Sequence, residues 1–172
     1  MADVEQSEID PNAPVTKIST PIELKYHFTA GRAASRFMRG LMKKKILGQR
    51  CPSCLKVYVP PRGSCASCGV PTEEEVELPP QGIVTTYCIV NVPFYGQKIK
   101  IPYVTGTILI DGADIGFMHL LQEVEAEEVR MGMRVEAVWQ DDSEMVPGLE
   151  SIKYFRPTGE EDAPFEEYKE YV

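Results

Sequence analysis

Histidine is almost missing from this 172-residue sequence: only His27 and His119 occur, and neither belongs to a visible dyad. His119 alternates with Ile115, Phe117 and Leu121, the pattern of a hydrogen-bonded core or rim imidazole rather than a general base. His27 lies between Tyr26 and Phe28, with no acidic neighbour nearer than Glu23. No apolar run approaches the roughly 20 residues needed to span a bilayer. The opening MADVEQSEID has neither a basic region nor an apolar stretch, so no secretory signal is expected. Gly31, Gly40 and Gly48 do not form a phosphate-binding fingerprint. Basic residues are also outnumbered, 18 against 26 acids, for a net charge of −8 and a pI of 4.9.

Four of the five cysteines carry the clearest chemistry. Cys51, Cys54, Cys65 and Cys68 are spaced C-x2-C-x10-C-x2-C. Two cysteines two residues apart can aim both sulfurs at one ion, and two such knuckles complete a tetrahedron. The spacer from Leu55 to Ser64 suits a short hairpin, with Val57, Tyr58 and Val59 followed by the turn residues Pro60, Pro61, Arg62 and Gly63. Gly69 stands just after the second knuckle, where positive φ is often needed. The expectation is one metal ion per chain, zinc before iron. Two disulfides or a redox pair fit less well, given the second matching pair and the lack of an export signal. Four thiolates leave no open coordination position, so the zinc is expected to be structural. Four thiolates and one Zn²⁺ would move the net charge from −8 to −10. Thiolate ligands without an export signal point to a cytoplasmic setting. The fifth cysteine, Cys88, is in phase with Val84, Val90 and Val92 and is expected in the core, where a thiol is inert.

Along the chain, 1–20 reads as a flexible tail and 21–50 as a helical arm. A short zinc ribbon follows over 51–79, a barrel over 80–157 and an acidic tail over 158–172. In the arm, Ala34, Phe37, Met38, Leu41 and Met42 form an apolar stripe flanked by Arg32, Arg36, Arg39 and Lys43. A stripe beside so small a ribbon suggests docking on another subunit, with Phe37 and Leu41 as anchors. From Lys25 to Arg50 there are eight basic residues and no acid, which suggests an anionic ligand or an acidic partner surface. The run of Glu73, Glu74, Glu75 and Glu77 before Pro79 and Pro80 reads as a linker.

The rest is mainly β. Strands are expected over Ile83–Val92, Tyr103–Ile110 and Ile115–Leu121, then around Val135–Trp139 and Ile152–Tyr154, with a short helical insertion after the third. Five strands in this order fit a Greek-key barrel of the OB type. The loop PFYGQKIKIP joins the first two strands, a position from which OB barrels often contact ligands. Its Phe94 and Tyr95 could stack, and its Lys98 and Lys100 could meet phosphate. In the final TGEEDAPFEEYKEYV, Phe165, Tyr168 and Tyr171 are interleaved with acids, so part of it is expected to pack.

A helical arm ending in ILGQRCPSC, a ribbon closing in CASCG, and the barrel segments GIVTTYCIV, IPYVTGTILIDG and MGMRVEAVW together resemble the DUF35 family over about 20–157. The resemblance implies a rubredoxin-like zinc ribbon joined to an OB-fold. It also implies a helper subunit of a thiolase-superfamily complex that acts on acyl-CoA, with the catalytic residues supplied by the partner in a hetero-oligomer. Under it, Arg32, Arg36, Arg39, Phe37, Leu41, Phe94, Tyr95, Lys98 and Lys100 become candidate contacts for CoA or the partner. The alternative from another class is a nucleic-acid-binding ribbon and OB module. The acidic balance works against it, since phosphate contacts supply most nucleic-acid affinity, and the strands show no row of exposed aromatics for stacking.

Overall fold

The computed structural model describes residues 12, 14, 24, 25, 27–94 and 96–172. The tail expected over 1–20 lies outside them except for Asn12 and Pro14, as does Tyr95. A single α-helix, α1 (Gly31–Leu41), opens the fold. Most of its apolar stripe faces inward, with Met42 at its end 43% exposed. Phe37 and Leu41 are 3% and 0% exposed and join the chain's own core, with Met38 packed beside them. The expectation that Phe37 and Leu41 anchor a partner is therefore corrected. Burying two such side chains contributes about 1.5–3 kcal/mol each to the fold itself.

The arm is also shorter than the sequence suggested, because the chain turns through Lys44 at φ 58° and enters a strand. β1 (Ile46–Arg50) is the centre of a three-stranded antiparallel sheet, between β2 (Val57–Tyr58) and β3 (Glu74–Leu78). Gly40 permits the return of the chain: a Cβ there would sit 2.7 Å from Leu47 Cδ1 and 3.2 Å from Lys45 O. The glutamate-rich segment is thus an edge strand and not a linker. Glu74, Glu75 and Glu77 are exposed, while Leu78 is buried and Val76 packs on the core. Opposite charges across β1 and β3 reinforce the pairing, with Arg50 on Glu74 at 3.3 Å and Lys45 on Glu77 at 2.7 Å.

Five further strands close a barrel: β4 (Gln81–Val90), β5 (Tyr103–Ile110), β6 (Phe117–Leu121), β7 (Arg134–Trp139) and β8 (Ile152–Pro157). Their order is β4-β5-β6-β8-β7. Every pairing is antiparallel except β6 with β8. A 3-10 turn at Ala126–Glu128 separates β6 from β7. This is the five-stranded OB-like barrel expected from the sequence. Its interior residues, including Val84, Ile108, Ile110, Val135 and Phe155, are continuous with Phe37, Leu41, Ile46, Val57 and Val59. Helix, ribbon sheet and barrel therefore share one core.

Cys88 departs from expectation. The β4–β5 register shifts between Val84 and Thr86, a bulge that adds one residue and reverses the alternation beyond it. Ile89 then takes the inward phase opposite Val104, and Cys88 is exposed.

The C-terminal segment packs back on the barrel. Ala163 N–H donates to Gly132 O at 2.8 Å, Arg130 Nη2 donates to Asp162 Oδ1 at 2.8 Å, and Tyr168 in the short α2 (Phe165–Tyr168) is buried. Gly132 has φ 89°, and a Cβ there would lie 2.9 Å from Ala163 O. Among the described residues, no helix is long and apolar enough to cross a membrane.

Candidate metal centre and flanking surfaces

The two knuckles are built alike. Leu55 N–H donates to Cys51 O at 3.0 Å and Cys51 N–H to Lys56 O at 2.9 Å; Gly69 N–H donates to Cys65 O at 2.9 Å and Cys65 N–H to Val70 O at 2.8 Å. The residue after each second cysteine takes positive φ, 63° at Leu55 and 69° at Gly69. Glycine adopts that conformation freely, whereas leucine does so at a cost. The tight turns aim all four sulfurs inward, within 4.8 Å of one another.

The donor set fits a metal ion. Zn–S bonds of about 2.3 Å in a tetrahedron require sulfurs about 3.8 Å apart, and the Cys54 and Cys65 sulfurs are 3.6 Å apart. Backbone N–H groups point at the sulfurs, as thiolates require. Ser53 and Cys54 donate to Cys51 Sγ, each at 3.4 Å, and Cys68 donates to Cys65 Sγ at 3.3 Å. Cys51 and Cys65 are buried, whereas Cys54 and Cys68 are exposed. All four protein positions of the tetrahedron are filled, so the ion such a site holds is structural and cross-links the ribbon.

Tyr58 is a member of this site that spacing did not reveal. Its hydroxyl lies 3.1 Å from Cys65 Sγ and accepts the Ala66 N–H at 3.2 Å, which leaves its proton directed at the sulfur. That O–H lowers the Cys65 thiol to about 6, with desolvation opposing it. At Cys54 the Lys56 backbone pulls downward, but desolvation and the other three sulfurs push the thiol up to about 12. One sulfur readily becomes a thiolate and its neighbour resists a second charge, a tension that a divalent cation relieves. The only hint of Tyr58 in the sequence was its place in the hairpin between the knuckles.

The other candidate residues fall on two separate surfaces. Arg32, Arg36 and Arg39 line a groove of ≈ 430 Å³ with Thr29, Gly31 and Ser35. Arg36 Nε is 3.5 Å from Glu75 Oε2. Phe94 is 60% exposed in the β4–β5 loop, and Lys98 and Lys100 are exposed beside it. Among the described residues, no hydrogen bond or ion pair joins groove and loop. His119 matches its sequence reading: Nε2 lies 3.3 Å from Leu149 O, and the ring makes edge contacts with Phe117 and Phe155.

A tetrathiolate ribbon fused through a common core to an OB-like barrel defines a two-module class of protein. Sequence comparison assigns both modules. Residues 39–74 match the rubredoxin-like zinc ribbon domain of ChsH2, and 75–140 match the ChsH2 C-terminal OB-fold domain. A DUF35 domain-containing scaffold protein of Methanocaldococcus jannaschii is 38% identical over 97 residues, covering 55% of this chain and 67% of that one. A protein of the same description from Pyrococcus furiosus is 30% identical over 105 residues, covering 60% and 76%. The chain belongs to the DUF35 family. Two solved structures share the fold. One, described as an Ltp2-ChsH2(DUF35) aldolase, has a TM-score of 0.56 at 22% identity, covering 74% of this chain and 95% of that one. The other, a DUF35 protein of unknown function from Sulfolobus solfataricus, has a TM-score of 0.53 at 26% identity, covering 63% and 78%.

Proposed function

We propose that this chain is the zinc-stabilised accessory subunit of a cytoplasmic thiolase-superfamily complex acting on acyl-CoA. The complex makes or breaks a C–C bond, by thiolysis or by aldol-type chemistry, and the partner supplies the catalytic residues. The reading is carried by the family's two-module architecture, whose relatives are described as scaffold proteins. A structure of the same fold, described as an Ltp2-ChsH2(DUF35) aldolase, adds support.

The side chains agree with a helper role. Thiolytic attack needs a thiolate beside an imidazole and an oxyanion hole. Here four thiols face one metal position, Cys88 lies on the barrel's outer surface, and His119 is engaged with Leu149 O. In this proposal the groove of Arg32, Arg36 and Arg39 meets the phosphates of CoA. The 93–102 loop contacts the partner near its substrate channel through Phe94, Lys98 and Lys100; Tyr95 in that loop lies outside the described residues.

The test is purification of the native complex, identification of its subunits by mass spectrometry, and turnover measured with and without this chain. The assayed thioesters include 2-benzoylsuccinyl-CoA, because the small subunit of its thiolase is a system the ribbon and barrel resemble. The expected result is a copurifying subunit with a reactive cysteine, no turnover by this chain alone, and faster or more durable turnover by the complex. Robust acyl-CoA turnover by the isolated chain would overturn the reading.

A further inference from the structure

The basic side of α1 holds two adjoining grooves. The one lined by Arg32, Ser35, Arg36 and Arg39 contains no acid. The other, of ≈ 350 Å³, shares Arg36 and Arg39 and adds Lys43 and Lys45. Lys43 stands in the turn after the helix, where its N–H donates to Gly40 O at 2.8 Å. It continues the side of Arg32, Arg36 and Arg39 in steps of four and three residues. At the helical rise, the row from Arg32 to Lys43 spans roughly 16 Å. Two carboxylates enter the second groove, and each is already engaged: Glu75 with Arg36 at 3.5 Å and Glu77 with Lys45 at 2.7 Å. Among the described residues, Arg32, Arg39 and Lys43 hold no carboxylate, although the chain has 26 acids for 18 bases. Arg50, Arg130, Arg134 and Arg156 each hold one. Unpaired cations therefore stand at both ends of the row and within it.

We propose that this row reads both phosphate centres of a coenzyme A thioester, with Lys43 as the residue that recognises the 3′-phosphate. The proposal rests on the functional reading above and divides the nucleotide end of CoA between the two grooves. The larger, acid-free groove takes the 5′-diphosphate, because planar guanidinium forks match several oxygens at once. The smaller groove takes the 3′-phosphate, a compact group that a lysine meets as a point charge. Arg39 borders both. The two phosphate centres sit on one ribose, so CoA can fill neighbouring sites. A nucleotide with a 5′-diphosphate alone leaves Lys43 without a partner. The row thus selects CoA thioesters over dephospho-CoA thioesters, through a part of the substrate remote from the reacting carbon.

The test measures the complex's KM for a CoA thioester and for the same thioester of dephospho-CoA. Wild type is compared with Lys43→Ala, with Arg32→Ala, and with Lys153→Ala, which removes one exposed charge from β8. The wild-type complex should favour the CoA thioester by about 10-fold or more in KM, at similar kcat. Lys43→Ala should raise KM for the CoA thioester and bring the ratio of the two substrates close to one. Arg32→Ala should raise both KM values and keep the ratio, because both substrates carry the 5′-diphosphate. Lys153→Ala should keep the wild-type ratio. Zinc content and melting temperature should match wild type throughout, which separates recognition from folding. Equal KM values for the two substrates in the wild-type complex overturn the proposal and leave the functional reading intact. A ratio that survives Lys43→Ala assigns the 3′-phosphate to another residue and likewise overturns it. A complex that turns over no acyl-CoA overturns the functional reading and the proposal together.

Discussion

Asp114 and Val57 join the barrel to the ribbon through two hydrogen bonds. Asp114 N–H donates to Val57 O at 2.9 Å, and Val57 N–H donates to Asp114 Oδ2 at 2.8 Å. The other carboxylate oxygen accepts the Tyr171 hydroxyl at 3.4 Å. Ile115, the next residue, packs against the cluster of Cys51, Tyr58 and Cys65. One loop of the barrel thus fixes the strand behind the metal knuckles and also receives the C-terminal segment.

Asp114→Ala should therefore destabilise the metallated chain by about 1–3 kcal/mol, because it strands the N–H of buried Val57. Asp114→Asn retains an acceptor oxygen and should lose less. Urea unfolding midpoints check the order. Equal midpoints for wild type and the alanine variant would show that the side-chain half of this clamp contributes nothing.

Tyr58→Phe keeps the ring in place and removes the O–H directed at Cys65 Sγ. Such supporting bonds around metal ligands are worth about 10–100-fold in affinity. The variant should bind zinc at least about 10-fold more weakly in chelator competition while remaining folded at saturating metal. Cys65→Ser should instead lose the ion and unfold the ribbon. Identical zinc affinities for wild type and Tyr58→Phe would remove Tyr58 from the site.

The metal centre and barrel strands were legible in the sequence because both are written in short spacings. Two C-x2-C pairs specify a tetrahedron, and alternation with Asp111-Gly112 specifies the β5–β6 connection. Three features were hidden because they depend on contacts between distant segments. The stripe of Phe37 and Leu41 announced an amphipathic helix, but nothing local says whether its apolar side meets the chain's own Ile46 and Val57 or another protein. β3 was masked by its glutamates, which face solvent at a sheet edge and leave only Val76 and Leu78 to show alternation. The bulge at Thr85 falls within a Thr-Thr pair, where either residue could be the extra one, and it alone decides that Cys88 faces outward.

Burial pushes the His119 imidazole below its ordinary 6.5, partly countered by the Leu149 and Leu120 backbones and by Glu150. Below pH 6.5 the unfolded chain takes up a proton that the folded chain resists, so stability falls with pH. The loss begins near 6.5 and levels off once the folded imidazole also protonates. His119→Phe should flatten this part of the profile relative to wild type. Parallel profiles for the two proteins, followed by denaturant midpoints from pH 7.5 to 5, would show that His119 is not the titrating group.

Phe37 and Arg39 lie on opposite sides of α1, and their substitutions should separate folding from function. Phe37 is buried in the chain's own core, so Phe37→Ala should destabilise the isolated chain by about 3–5 kcal/mol with no partner present. Arg39 is exposed and lines the basic groove, so Arg39→Ala should change stability by no more than about 0.5 kcal/mol. If the groove meets CoA phosphates, the same change should raise the complex's KM for acyl-CoA and reduce its salt dependence. Its kcat should stay near wild type, because the guanidinium holds a part of the substrate remote from the reacting carbon. A stable Phe37→Ala chain that fails only in partner binding would return the apolar stripe to the interface. An Arg39→Ala complex with unchanged KM at every salt concentration would place the CoA phosphates elsewhere.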